Sequence, residues 1–343
     1  MPSPANIADV ANHGAVILGK AVVCDGFYAS ASIRVQSHIH SDHMNGFNSS
    51  KLFQTIVCSE PTKALLIAEL NADLPYRPTI KTVGDSGFDF DGGRINLVSS
   101  GHILGAVQTR VEYDSGLCIG YSGDFNWPLE NVIQVEELVV DSTYGSPNGA
   151  KKFPQEQVKS RFLEIVGSSL ATGSVHIKGG RGTIHRAAEL LFDQFKVPMV
   201  GSAAVCRDVK VYRNYGYAID DIANVDSPEF EPIEAGAPHI RLYSLGDSDP
   251  VGIIGQTVLY LSAYWSQETD PLLTIAADRY RLAMSDHADF EGTLAYVVAT
   301  GAKRVVTDNT RGGHAITLAG EINRRLNIEA RPSTTSPRHI WGT

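Results

Sequence analysis

The chain has 343 residues, of which 43% are hydrophobic and 20% charged, with a formal net charge of −9. These values describe an ordinary globular protein of one large domain or two, and exclude an intrinsically disordered chain. The acidic balance argues against a nonspecific nucleic-acid coat, which needs a broad basic surface. It leaves room for an enzyme whose positive charge is local and supplied by metal ions.

No apolar run is long enough to span a bilayer, so no membrane partner is expected. Met1–Asn6 shows no basic stretch leading into an apolar core, the mark of a secretory signal. Cys24, Cys58, Cys118 and Cys206 are far apart and form no CxxC pair. Free, buried thiols in a reducing compartment, and hence a cytoplasmic protein, are expected.

Taken in order, Ala15–Cys24 reads as two short strands around Gly19-Lys20, and Asp25-Gly26 turns the chain. Ala31–Gln36 alternates as a half-buried strand does and runs into Ser37-His38-Ile39-His40-Ser41-Asp42-His43. Turn residues follow at Met44–Asn48, then a strand at Phe53–Cys58. Ser59 is placed to cap a helix with Pro61 in its first turn and Lys63–Leu70 as its body. Arg94–Val98 is a strand that ends at Ser100-Gly101-His102. Val107–Tyr113 and Leu117–Tyr121 form a hairpin whose second arm ends at Ser122-Gly123-Asp124. Glu137–Val140 is a strand that ends at Asp141-Ser142-Thr143-Tyr144-Gly145.

After Pro147 the pattern changes. A helix over Pro154–Leu170, a strand over Val175–Lys178, a loop Gly179-Gly180-Arg181-Gly182 and a helix over Thr183–Phe195 are expected. Strand and helix alternate through Met199–Tyr217, and Ile219–Pro238 is irregular and acidic. Strands at Leu272–Ala276 and Arg281–Ser285 read as a return to the first domain. Phe290–Thr300, Arg304–Thr307 and Ile316–Leu326 continue it, with a loose tail from Pro332. There is no internal repeat.

The chemistry concentrates in the stretch after the alternating strand. The chain has 11 histidines, and His38, His40 and His43 fall within six positions together with Asp42. A strand end holds the backbone while the turn lets neighbouring side chains converge. Imidazoles with a carboxylate suit zinc, with manganese or iron as substitutes. A two-metal hydrolase also needs a carboxylate shared by both ions, which lie about 3.5–4 Å apart. His38, His40 and His102 are expected to serve one ion and Asp42 with His43 the other. Asp124, at the end of an apolar strand, is the natural bridge.

SHIHSDH, SGHILGA, YSGDF and VDSTYG together resemble the metallo-β-lactamase fold in its β-CASP nuclease branch, which includes the Artemis-type repair nucleases and bacterial ligase-associated exonucleases. The resemblance covers nearly the whole chain. HxHxDH alone marks the wider superfamily, and SDHAD around His287 narrows it. The resemblance implies an αββα sandwich with an inserted α/β cap: residues 1–150 the first part of the core, 151–270 the cap, and 271–343 the second part of the core. It makes Asp141 the motif A acid and His287 the motif B histidine, acting with Asp42 as catalytic residues. Asp25 supports the metal site by hydrogen bonds.

A helix start after a glycine-rich loop binds phosphate well, so Lys178, Gly182, Thr183 and Arg186 are expected to hold a phosphate of the substrate. His176 and His185 beside the loop read as surface or cap histidines, not ligands. At motif C, Val305-Val306-Thr307-Asp308-Asn309 puts Asn309 where many relatives carry a histidine ligand. This leaves the second metal site short of a ligand, with His314 as a candidate to fill it.

The expected activity is that of a two-metal nuclease, a repair-type exonuclease acting on DNA, with a helicase or ligase as candidate partner. An RNA-processing nuclease of the same family and a small-molecule ester or lactone hydrolase are the alternatives. A scaffold that binds nucleic acid without cleaving it is a third, opposed by the retained set of Asp25, His38, His40, Asp42, His43, His102 and Asp124.

Overall fold

The structure, a computed structural model, describes residues 8–70, 73–228, 230, 238–250, 255–262 and 270–333. The protein is a mixed α/β chain, with three sheets among the described residues. It divides into two compact units, one formed by Met1–Ala150 with His287–Thr343 and the other by Lys151–Asp286.

The first unit opens with a six-stranded sheet of β1 (Ala8–Val10), β2 (Val16–Leu18), β3 (Val22–Cys24), β4 (Ile33–Val35), β5 (Thr55–Cys58) and β6 (Ile80–Thr82), in that order. β1 to β3 are antiparallel, and β3 to β6 run parallel. Helix α1 (Phe47–Phe53) precedes β5, and α2 (Glu60–Leu70) follows it. The start of α2 is fixed as expected, with Ser59 Oγ accepting from Thr62 N at 3.2 Å. Helix α1 was not anticipated. Phe53, read as the start of a strand, closes that helix instead, and Gly46 at φ +65° admits the chain to it.

The second sheet begins with β7 (Phe88–Phe90), β8 (Gly93–Ser99), β9 (Val107–Tyr113), β10 (Cys118–Tyr121) and β11 (Glu137–Val140). β9 and β10 form the expected antiparallel hairpin, while β10 and β11 are parallel.

The second unit is built on helices α3 (Gln155–Leu170), α4 (Thr183–Leu191) and α5 (Ala203–Asn214). Its sheet comprises β12 (Val175–Lys178), β13 (Met199–Gly201), β14 (Ile222–Asn224), β15 (Ile240–Tyr243), β16 (Thr257–Ser262), β17 (Leu272–Ala276) and β18 (Arg279–Ala283). The spatial order is β14-β13-β15-β12-β16-β18-β17, parallel except for the last pair. Val158, Phe162 and Val166 recur every four residues on α3 and are buried. Each such side chain contributes about 1.5–3 kcal/mol.

Three expectations change here. β18 pairs with β16, and β17 with β18, in this sheet rather than returning to the first unit, which therefore resumes at His287 and not near residue 271. A strand's own alternation does not name its partner. Helix α4 ends at Leu191, four residues short of Phe195. Phe192 turns extended and is 41% exposed, because the apolar face stops there. The stretch 219–238 contains β14; residues 229 and 231–237 of it lie outside the described residues.

The first unit resumes with α6 (Phe290–Ala299), β19 (Arg304–Thr307), α7 (Ala315–Leu326) and β20 (Glu329–Pro332). β19 and β20 join β11 in parallel, giving the order β20-β19-β11-β10-β9-β8-β7. Pro332, read as the start of a loose tail, closes β20. Ser333 is buried and its N–H reaches Thr307 O at 2.8 Å; residues 334–343 lie outside the described residues.

One buried cluster draws Val16, Leu18 and Val35 from the first sheet and Ile95, Tyr121 and Val306 from the second. A second lies on the other face of the second sheet, where Phe125, Leu138 and Val305 meet Phe290, Tyr296, Leu318 and Ile322 of α6 and α7. All four cysteines are free; Cys24 and Cys58 are buried, Cys118 and Cys206 half-buried. No helix among the described residues is long and apolar enough to cross a membrane.

Candidate metal centre

Parallel strands deliver their chemistry at their carboxyl ends, and this unit does so repeatedly. The turn 37–43 follows β4, Asp124 follows β10, and Asp141 follows β11. His102 sits in the turn between β8 and β9, and His287 lies just before α6.

Asp124 is where these segments converge. Its Oδ2 lies 3.4 Å from His38 Nε2, 3.5 Å from His102 Nε2 and 3.9 Å from both His40 Nδ1 and His287 Nε2. Its Oδ1 lies 3.2 Å from His43 Nε2. The ligand atoms of His38, His40, His102 and Asp124 all fall within 4.8 Å of one another. His102 Nε2 and His40 Nδ1 are 3.1 Å apart. On the far side, Asp42 Oδ2 lies 3.5 Å from His43 Nε2. Asp42 is half exposed and falls outside the tight clusters.

The imidazoles are aimed from behind. Asp25 is fully buried, and its Oδ2 meets His43 Nδ1 at 2.8 Å, which turns Nε2 toward Asp124. Ser37 holds Asp25 through its N–H at 2.7 Å and its hydroxyl, and that hydroxyl also lies 2.9 Å from His38 Nδ1. Asp25 is the residue expected to support the site by hydrogen bonds.

Burial opposes charge on His43, but the carboxylates of Asp124 and Asp25 outweigh it and push its pKa up to about 10. Burial, with the neighbouring charge of His43, holds His38 down at about 3. Burial disfavours the charged form of Asp25 too, yet His43 and Arg311 bring it down to about 2. Asp124 is held well below the usual carboxylate range despite its burial, by His43 and His38. A divalent cation bound here would have to displace protons from these groups. The Nε2 atoms of His38 and His43 are buried without a hydrogen-bond partner among the described residues. A buried imidazole nitrogen aimed at a carboxylate fits a metal ligand once its proton is lost.

Gly123 shapes this centre. It takes φ +57°, and a Cβ there would lie 2.7 Å from Val107 O. Gly123→Ala should destabilise the fold by about 2 kcal/mol or more, from left-handed strain and overpacking. A lowered melting midpoint with weakened metal uptake is the expected readout; an unchanged midpoint would contradict it.

Asp141 Oδ1 accepts from Thr143 N at 2.8 Å and Thr143 Oγ1 at 2.7 Å, and its Oδ2 lies 3.1 Å from His287 Nδ1. The His287 ring lies 4.5 Å from that of His102 and 5.8 Å from that of Tyr144. Asp124, Asp141 and His287 themselves form a cluster that could hold an ion.

The end of β19 differs from expectation. Asn309 is exposed, and its N–H bonds Ser333 Oγ at 2.9 Å. Asp308 takes the buried position, with its carboxylate on Thr310 N at 2.8 Å and paired with Arg311. His314 is exposed ahead of α7 and joins none of the clusters.

The glycine-rich loop of the second unit keeps its side chains occupied. Lys178 Nζ bonds Asp247 O at 2.7 Å and Asp249 Oδ1 at 2.8 Å. Thr183 Oγ1 donates to Asp286 Oδ2 at 2.6 Å, and Arg186 Nη2 to Gln155 Oε1 at 2.9 Å. Gly182, at φ +83°, gives its N–H to His185 Nδ1 at 3.2 Å. His176 and His185, read as surface or cap histidines, are buried, His176 between Tyr243 and Gln256 and His185 stacked on Tyr212.

Sequence reasoning missed the side chains beneath the centre, above all Arg34, Gln36 and Arg311. The Arg311 side chain is 9% exposed and donates to Gly14 O and to Asp25 O, the latter at 3.3 Å.

No family model matches the chain. An uncharacterised protein in the lig 3′ region of Acidianus ambivalens is 35% identical over 100 residues, 29% of this chain and 71% of that protein. A probable DNA ligase of Opitutus terrae is 24% identical over 285 residues, 79% of this chain and 26% of that one. The 5′ exonuclease Apollo of Danio rerio is 28% identical over 153 residues, covering 40% and 27%. The chain belongs to the β-CASP branch of the metallo-β-lactamase fold. This β-CASP chain spans about a quarter of the length of the ligase and of Apollo. A protein of unknown function from Enterococcus faecalis V583 shares the β-CASP chain's fold, with a TM-score of 0.57 at 14% identity over 80% of this chain and 74% of that one.

Proposed function

We propose that the protein is a metal-dependent phosphodiesterase acting on nucleic acid, an exonuclease of the DNA-repair type with two ions in its centre. The observation that carries this is the convergence of five imidazoles on one buried carboxylate, Asp124. His38, His40 and His102 would hold one ion and Asp42 with His43 the other, Asp124 bridging. Zinc suits this nitrogen-rich set, with manganese as a substitute. When bound, such ions acidify an attacking water and neutralise charge on the phosphoryl oxygens.

The chain's own part is orientation and proton handling. Asp25 fixes the tautomer of His43, and Asp141 holds the His287 ring by Nδ1, so that its Nε2 can deliver a proton to the leaving oxygen. On this reading the first unit is the αββα catalytic core and the second the β-CASP insertion. Lys178, Gly182, Thr183 and Arg186 are candidates for a phosphate contact that would have to exchange the partners they now hold.

DNA is favoured over RNA by Asp141 at motif A and by the absence of a histidine at Asn309. The name of the ligase relative is in keeping with this, and with the lig 3′-region relative it makes a ligase the first partner to test. The β19 end supplies Asp308, already paired with Arg311, so the second ion is expected to be the weaker held.

The test is a panel of labelled single-stranded DNA and RNA with each end blocked in turn, plus a generic ester, supplied with zinc or manganese. Cleavage of DNA from an unblocked end is expected. Ester turnover without nucleic-acid cleavage, or no turnover at all, would remove the reading, and cleavage confined to RNA would move it to the RNA-processing branch.

A further inference from the structure

The strand that leads into the metal-binding turn carries two polar side chains on one face. Residues two apart in a strand share a side, so Arg34 and Gln36 lie together. Both are fully buried. The guanidinium has five N–H groups, and it makes five hydrogen bonds. Nε and Nη2 donate to Gln36 Oε1 at 3.0 and 2.7 Å, Nη2 also to His43 O at 2.8 Å, and Nη1 to Asn45 O at 2.9 Å and Ser50 Oγ at 3.2 Å. The plane also lies over the Phe47 ring, 5.1 Å from its centroid.

Gln36 Nε2 in turn reaches the carbonyls of His38 and His43, the latter at 3.1 Å, and Asp25 Oδ1 at 3.3 Å. Three backbone carbonyls between residues 38 and 45 therefore end on two side chains.

A buried cation costs several kcal/mol to desolvate, and a well-packed apolar pair would fill the same volume as well or better. What an apolar pair cannot do is hold carbonyls. None of the four acceptors of these five hydrogen bonds is a carboxylate, so the group is spent on the shape of the turn and not on a charge partner. Its backbone contacts fall on one half of the turn, His43 and Asn45, whereas those of Gln36 fall on His38 and His43.

We infer that Arg34 and Gln36 are positioning residues that fix the His38–Asn45 turn in its ligand-presenting shape, Arg34 for the Asp42–His43 half of the centre and Gln36 for both halves. This rests on the metal-centre reading above. The two side chains touch no substrate. They act through His38 and His43, and they set the entropy that each ion must overcome on binding.

The experiment is calorimetric titration of the full, chelator-stripped chain with zinc, alongside its thermal melt. The wild type should take up two ions in separable steps. Arg34→Lys keeps a cation but not five fixed donors. It should weaken the second step roughly ten- to a hundredfold and leave the first unchanged. Gln36→Met should weaken both steps, and Ser50→Ala, which removes only a side-chain acceptor, should change neither. A folded Arg34→Lys chain with both steps intact, or with both weakened alike, overturns the inference. Should that variant not fold, Gln36→Met decides: intact binding in a folded chain overturns it. A wild-type chain that takes up fewer than two ions fails the metal-centre reading itself and takes this inference with it.

Discussion

Asp124→Ala should abolish metal uptake and cleavage together. Asp124 is the group toward which five histidines from three segments point, at 3.2 to 3.9 Å. Its removal leaves imidazoles that repel one another as soon as any two are protonated and that share no anionic ligand. On the two-ion reading proposed above, a single histidine ligand removed would cost one corner of one site, whereas Asp124 would belong to both. Activity should fall by on the order of a thousandfold or more, since both water activation and charge neutralisation go with the ions. Asp124→Asn keeps the volume and separates lost charge from lost packing. Elemental analysis of the purified variants, with a thermal melt to show that they fold, gives the answer. A folded Asp124→Ala chain with a full complement of metal would show that the ions lie elsewhere.

His287→Ala should leave metal content nearly intact and slow turnover by about a hundred- to ten-thousandfold, the range general acid–base groups supply. The geometry makes this a demanding test. His287 Nδ1 is tied to Asp141 at 3.1 Å, as an oriented acid requires, yet its Nε2 lies 3.9 Å from Asp124. The Asp124, Asp141 and His287 atoms are close enough to hold an ion. A proton donor and a ligand therefore differ here by what occupies Nε2. Loss of one ion in His287→Ala would make the residue a ligand. Retained metal with a lowered kcat, and with the loss diminished on a substrate bearing a better leaving group, would make it the acid.

Much of the centre was legible before any folding was considered. The six-position cluster, the strand ends at Asp124 and Asp141, and His102 after β8 are local patterns, and local patterns survive into structure. The hairpin of β9 and β10 and the helix capped by Ser59 were readable for the same reason. What failed were statements about partners. β17 and β18 were recognisable as strands, but the sheet they belong to was set by the pairing of β18 with β16. Asn309 was taken for the residue facing the centre. A shift of one position at a strand end exchanges the buried side for the exposed one, and Asp308 is the buried residue. Arg34 and Gln36 looked like the solvent face of a half-buried strand. All three residues of β4 are buried, so the polar face turned out to be interior.

The sequence by itself determined the donor set: which imidazoles and carboxylates exist, how they are spaced, and that they suit divalent ions. Only the tertiary structure decided that residues as far apart as His38 and His287 meet at Asp124, and which buried cations stand behind them. A ligand's type is written in its side chain, but its direction depends on backbone held by other strands. That information is carried by packing between segments and not by any one of them.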